Sequence, residues 1–182
     1  QAFLNRLKKE KRLGIRLRKE LVEASRNLDN IISEQKKRID EGKILNINDH
    51  KGRLNYPAKG KILSRFGKKR DSRYDSYVVH NGITLKTRQK TAVKAVYSGR
   101  VLYTGLLEGY GNLIILGHGN DYHSVYGHLE KFYVKAGQVV GKDQIIGYSG
   151  NSGPTISNSL YFELRKNGKA IDPSSWFRFG KK

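Results

Sequence analysis

Two spacings of apolar residues divide the chain. At the start, Phe3, Leu7, Leu17, Leu21, Ala24, Leu28 and Ile31 recur at heptad-like intervals, with Glu10 and Gly14 interrupting the seam. This predicts one helix carrying a single apolar stripe. A stripe of that kind needs a surface to bury against, and a second helix, a partner protein and the groove of the following domain are the three candidates. A coiled-coil strand is the favoured reading, ahead of an arm folded back on the domain. A membrane-surface helix ranks last, because acidic residues run through the segment and aromatics are few. Residues 41–55, with Gly42, Asn46, Asn48, Asp49 and Gly52, sustain no period and read as a linker. From Pro57 onward the chain becomes short alternating or apolar runs between Gly, Asn and Ser, at 61–63, 77–85, 92–103, 112–116, 122–129, 144–149 and 159–164. That pattern predicts an antiparallel, mainly β domain. Hairpin turns are expected at His118-Gly119-Asn120-Asp121 and at Lys166-Asn167-Gly168-Lys169. A weak echo between residues 93–101 and 134–139 suggests duplicated hairpin units. The organisation read from this is a helical arm or coiled-coil segment over 1–41, a linker over 42–56 and a β domain over 57–182.

Charge changes the picture. The 182 residues hold 36 Lys and Arg against 16 Asp and Glu, a formal net charge of +20 with a pI near 10.1. Residues 1–50 contribute +5 and residues 51–182 contribute +15. Such a balance suits polyanions, yet neither a groove-reading helix nor an aromatic RNA platform is present, so no specific nucleic-acid partner is expected. Envelope polyanions would attract the same charge. The absence of Cys excludes disulfide frameworks, thiolate metal sites and Cys nucleophiles. No apolar run approaches the roughly 18 residues of a membrane span. The chain starts at Gln1 without a charged-then-apolar leader, which reads as a piece of a longer protein, so that any secretory signal would lie upstream.

Five histidines, four of them in the Cys-free β domain, raise the question of a metal site, since imidazole and carboxylate are then the strong zinc ligands available. His80 lies in Val78-Val79-His80-Asn81-Gly82-Ile83-Thr84-Leu85, and His128 in Ser124-Val125-Tyr126-Gly127-His128-Leu129. A late strand reads Ser159-Leu160-Tyr161-Phe162-Glu163-Leu164-Arg165. His118 and His123 flank a turn and read as turn-bonded or exposed.

With Pro57-Ala58-Lys59-Gly60-Lys61-Ile62-Leu63-Ser64-Arg65-Phe66-Gly67 and Ile171-Asp172-Pro173, these segments resemble the lysostaphin/LytM-type zinc peptidase domain over roughly residues 54–178. The resemblance implies a mainly β, duplicated hybrid-motif fold with zinc held by an early His, an Asp and a late His. Position by position, His80 matches the first ligand, Thr84 stands in place of the Asp, and Tyr161 in place of the last His. Of the two residues expected to handle protons and the oxyanion, His128 is matched and Ser159 replaces the other. A catalytic zinc needs about three protein ligands and an open position. Neutral Thr and a protonated phenol do not provide them, so no metal and no cofactor are expected. The altered late strand resembles EnvC-type murein hydrolase activators, LytM-like domains that do not cut. That resemblance implies a periplasmic factor of cell division. It would switch on N-acetylmuramoyl-L-alanine amidases and be addressed through its coiled coil by a transporter-like membrane complex. This chain departs from the subgroup in keeping His80 and His128.

The same residues can be read as a binding floor. Leu160, Phe162 and Leu164 point one way, so Ser159, Tyr161, Glu163 and Arg165 point the other. Alternation groups His80, Gly82 and Thr84 on one face, and Tyr122, Ser124, Tyr126 and His128 on one face. The expected partner-binding groove comprises His80, Asn81, Thr84, Tyr110, Leu113, Tyr126, His128, Ser159, Tyr161 and Arg165, with Tyr and Arg as its anchors. The expected function is non-catalytic activation of peptidoglycan amidases in septal wall splitting. The alternative is a zinc endopeptidase cutting peptidoglycan crosslinks through an atypical site. Peptidoglycan itself is a further candidate partner.

Overall fold

A computed structural model describes residues 2–36, 46–71, 76–154 and 157–178. It begins with one long helix, α1 (Ala2–Lys36). Among the described residues thirteen strands follow: β1 (Lys61–Ser64), β2 (Gly67–Asp71), β3 (Ser76–His80), β4 (Ile83–Lys86), β5 (Ala92–Lys94), β6 (Gly99–Leu107), β7 (Gly111–Gly117), β8 (Tyr122–Gly127), β9 (Leu129–Phe132), β10 (Val139–Val140), β11 (Ile145–Ser149), β12 (Ser159–Lys166) and β13 (Lys169–Ile171). The main sheet runs β1-β4-β12-β8-β7-β6-β10, with β13 paired to β12, and every ladder in it is antiparallel. A three-stranded sheet, β5-β11-β9, lies apart from it, and β2 and β3 form a separate ribbon.

Both expected hairpin turns form. Gly119, Asn120 and Asp121 take positive φ between β7 and β8, and Asn167 and Gly168 do so between β12 and β13. Two successive positive-φ residues match the twist of antiparallel strands. The echoed segments meet across the sheet, where Val139 pairs with Arg100 and the Val101 amide donates to the Gln138 carbonyl.

Each face of the main sheet carries its own core. One face buries Ile83, Leu85, Leu160, Phe162, Leu164, Tyr126, Ile114 and Leu116, with Val140 of β10, against Val93, Val134 and Ile146 from the smaller sheet and its connections. Residues placed in the linker join this core: Ile47, in a 3-10 turn at Ile47–His50, is fully buried, and so is Leu54 beside Trp176 and Phe177. The Leu54 backbone bonds to Trp176 and Arg178, tying this segment to the end of the domain. Residues 42–45 of the expected linker lie outside the described residues.

The opposite face of the sheet is covered by α1. Ala24, Leu28 and Ile32 fall at i, i+4 and i+8 and bury against Leu102, Tyr110, Leu113, Ile115 and Val125. The stripe thus finds its surface within the same chain, on the sheet. The seam is also narrower than its sequence suggested, since Leu21 is exposed. The side chains of Phe3, Leu7 and Leu17 lie outside the described residues.

Candidate functional site

The candidate groove is the α1 side of the main sheet, formed by β4, β12, β8, β7 and β6. Register sets which side chains reach it. Tyr161 stands opposite Thr84 on β4 and Gly127 on β8, and Glu163 stands opposite Val125. Directly opposed residues share a face. Thr84, Tyr161, Glu163, Arg165, Val125 and His123 therefore face the groove side, while Leu160, Phe162 and Leu164 face the first core.

Eight of the expected residues come together along this side. Leu113 is fully buried beneath α1 and Tyr110 nearly so. The Tyr110 ring meets Tyr161 edge-on at 5.4 Å between centroids. His128 Nδ1 is hydrogen-bonded to Ser159 Oγ at 2.8 Å, and its ring lies 5.8 Å from that of Tyr161. Asn81 reaches the roof, where its Nδ2 donates to Ser25 Oγ on α1 at 3.4 Å. Arg165 closes the far end and is 2% exposed. One guanidinium nitrogen is paired with Glu163, and the other with Asp29 of α1 and with the Gly168 carbonyl at 2.6 Å. His80, half-buried at the end of β3, has its pKa lowered by burial and then by the charge of Lys69.

Tyr126 departs from expectation. It is opposite Phe162, stacks edge-on against it, and lies fully buried in the first core with Ser124 and Tyr122 behind the sheet. The alternation used to group it with His128 stops at Gly127, because His128 takes φ +62 and turns out of the strand. His118 and His123 are buried, not exposed at the turn.

Glu163 and the roof residues Ala24, Ser25, Leu28 and Asp29 belong to the site but were not among the expected residues. For Glu163 the signal was present, since it alternates with Tyr161 and Arg165. Glu163 is fully buried, and burial raises its pKa against the opposing pull of Arg165. Tyr161 donates to Glu163 Oε2 at 2.8 Å.

These surroundings test whether the residues fit the zinc that the resemblance implies. Burial and the neighbouring Glu163 push the Tyr161 phenol well above its ordinary value, so it remains protonated and spends its proton on Glu163. Thr84 is neutral, and among the described residues no group of three or more His, Asp or Glu is placed to hold a metal ion. The donor set does not fit a catalytic zinc. What the floor offers is a tyrosine-rich surface with a cation at one end and a histidine at the other.

Two buried imidazoles carry a pH signature. Burial lowers the pKa of His118 and of His128 from 6.5 to about 4. His118 Nδ1 donates to the Ser98 carbonyl at 2.8 Å, which leaves Nε2 to accept from Ser124 Oγ at 2.7 Å. The unfolded chain takes up these protons first as pH falls. Their contribution to stability is therefore complete above about pH 6.5 and is lost toward pH 4, at about 1.4 kcal/mol per unit for each residue. The melting temperature should fall steeply over that window, and His118→Gln, less stable at pH 7, should show a shallower slope. Equal slopes in the two proteins would place the acid sensitivity elsewhere.

Comparison with known proteins agrees with this geometry. The description "Peptidase family M23" matches residues 78–173. The chain is 32% identical over 126 residues to "Murein hydrolase activator EnvC" of Escherichia coli K12, covering 69% of this chain and 29% of that protein. It is 37% identical over 119 residues to "Murein hydrolase activator NlpD" of the same organism, covering 65% and 29%. The matched region thus spans well under half of either relative. Among solved structures, a zinc-containing peptidase from Vibrio cholerae superposes with a TM-score of 0.61 and 29% identity, over 65% of this chain and 38% of that one. The mainly antiparallel β fold and the ordered motifs converge on one assignment: the chain belongs to peptidase family M23.

Proposed function

We propose that this chain is a non-catalytic activator of peptidoglycan amidases of the N-acetylmuramoyl-L-alanine type, of the EnvC kind, acting in the periplasm during septal wall splitting. The observation that carries this reading is the occupant of the groove. Where a peptidase would present metal and water, this floor packs a helix through Ala24, Leu28 and Ile32 and pairs Asp29 with Arg165. A surface that accepts one amphipathic helix with an acidic flank is suited to accept another from a partner. The two relatives named murein hydrolase activators support the same role.

On this reading, α1 and the amidase segment compete for one floor. The amidase is switched on because the groove binds its open form preferentially. The exposed part of α1 beyond the groove is the site at which a transporter-like membrane complex would act, pulling the helix away and freeing the floor.

Purified chain incubated with peptidoglycan alone should release no peptide, while adding it to a cognate amidase should raise release of wall material. Peptide release by the chain itself, with about one zinc bound per chain, would instead establish the endopeptidase reading that His80 and His128 keep in view.

A further inference from the structure

More than half of the net charge of the chain falls in one stretch. Residues 51–107 contain 14 Lys and Arg and two acids, Asp71 and Asp75, a net +12 of the total +20. On the outer strands Lys61 stands directly opposite Lys86, a like-charge pair that disfavours the ladder it sits in. The β2–β3 ribbon follows directly in the chain and stands apart from both larger sheets. Its register sets Lys68 opposite Val79 and Lys69 opposite Val78, so Lys68, Tyr77 and Val79 share one face of the ribbon and Lys69 lies on the other. Lys68 and Lys69 are exposed, and so are Tyr77 at 50% and Val79 at 60%. The Lys68 ammonium lies 4.1 Å from the centre of the Tyr77 ring. Leu63, on the neighbouring strand β1, is 48% exposed.

Lysines alone on a free ribbon would be accounted for by the need to block edge-to-edge pairing. Exposed Tyr77 and Val79 work against that purpose, because large apolar side chains on an open ribbon invite association. A ribbon with exposed cations on both faces and protruding aromatic and aliphatic groups on one of them matches an anionic bilayer. There, lysines meet headgroup phosphates, while a tyrosine and a valine enter the boundary with the acyl chains. Among the described residues no helix is long and apolar enough to span a membrane, so such contact would be peripheral.

We propose that the β2–β3 ribbon docks this domain on an anionic phospholipid surface. The contact uses the exposed Lys68, Tyr77 and Val79 face and does not depend on the amidase reading. The test is co-sedimentation of the full chain with vesicles of phosphatidylglycerol and phosphatidylcholine in equal parts, compared with phosphatidylcholine alone. Binding should appear on the anionic vesicles only and weaken as salt is raised. Lys68→Glu with Lys69→Glu should lower the partition coefficient by about tenfold or more. Tyr77→Ser with Val79→Ser should lower it by about threefold or more at unchanged net charge. All four substitutions fall on exposed positions, and equal melting temperatures would show that the fold is kept. Equal binding to both vesicle types would overturn the proposal. So would binding that ignores Tyr77→Ser and Val79→Ser and is fully displaced by inorganic polyphosphate, because the ribbon would then be a site for soluble polyanions.

Discussion

Leu28→Asp is expected to raise amidase stimulation by about tenfold or more at limiting protein, with the β domain still folded. Leu28 is fully buried in the contact between α1 and the sheet, among Leu102, Tyr110, Leu113, Ile115 and Val125. Removing a buried leucine costs about 2–5 kcal/mol, and placing a carboxylate in the same contact adds to the loss. Almost all of that penalty falls on the docked arrangement. The ladders of the main sheet and the core on its other face do not involve Leu28, so they survive its replacement. A shift of about 2–5 kcal/mol moves the balance between covered and open groove by a factor of about 30 to several thousand. Limited proteolysis within α1 should accelerate in parallel. Asp29→Asn provides a gentler version: it removes one of the two carboxylates on Arg165 and leaves Glu163 in place. Its effect on stimulation should be in the same direction and smaller. If Leu28→Asp frees α1 by the protease criterion and stimulation stays at the original level, the helix does not control the groove.

Much of the groove floor was legible before the fold was known, and the reason is local. On β12 a strict alternation of Leu160, Phe162 and Leu164 with Tyr161, Glu163 and Arg165 assigns both faces from the period-two geometry of a strand. The register with β4 and β8 agrees. The turns at Gly119-Asn120-Asp121 and Asn167-Gly168 were equally readable, because few residues tolerate positive φ.

The misplacement of Tyr126 has an equally local cause. Parity counts hold only while the strand continues, and the left-handed backbone at His128 ends β8 at Gly127, inside the run 122–129 that the pattern marks. The residue type announces this only weakly, since positive φ is uncommon outside glycine even though histidine is enriched there. His128 reaches Ser159 because the chain turns, not because it shares a face with Tyr126. A close approach supports that turn: the backbone at Gly153 leaves no room for a Cβ beside the His128 ring.

Two further features depended on contacts distant in sequence. A helix stripe states that something must cover it but not what, so Ala24, Leu28 and Ile32 could equally have met a second helix. Their burial on β6, β7 and β8 is information held by the sheet. Arg165 read as an exposed anchor for a partner, but here it is buried and neutralised from two sides. Removing one member of a buried charge cluster leaves the others uncompensated, a loss of about 3–5 kcal/mol. Arg165→Glu would place a third carboxylate beside fully buried Glu163 and is therefore a poor probe of partner binding alone. Asp29, on the rim with a half-exposed side chain, is the cleaner position.

The claim that the groove is a docking floor whose access α1 governs can be tested by locking the roof in place. The chain has no cysteine of its own, so Ser25→Cys with Asn81→Cys gives one unique thiol pair at a contact where the native side chains meet at 3.4 Å. Joined by a short reducible crosslinker, this variant should fail to stimulate a cognate amidase, and reduction should restore stimulation to the level of the untreated variant. Full stimulation by the crosslinked protein, verified as one joined species, would contradict the account.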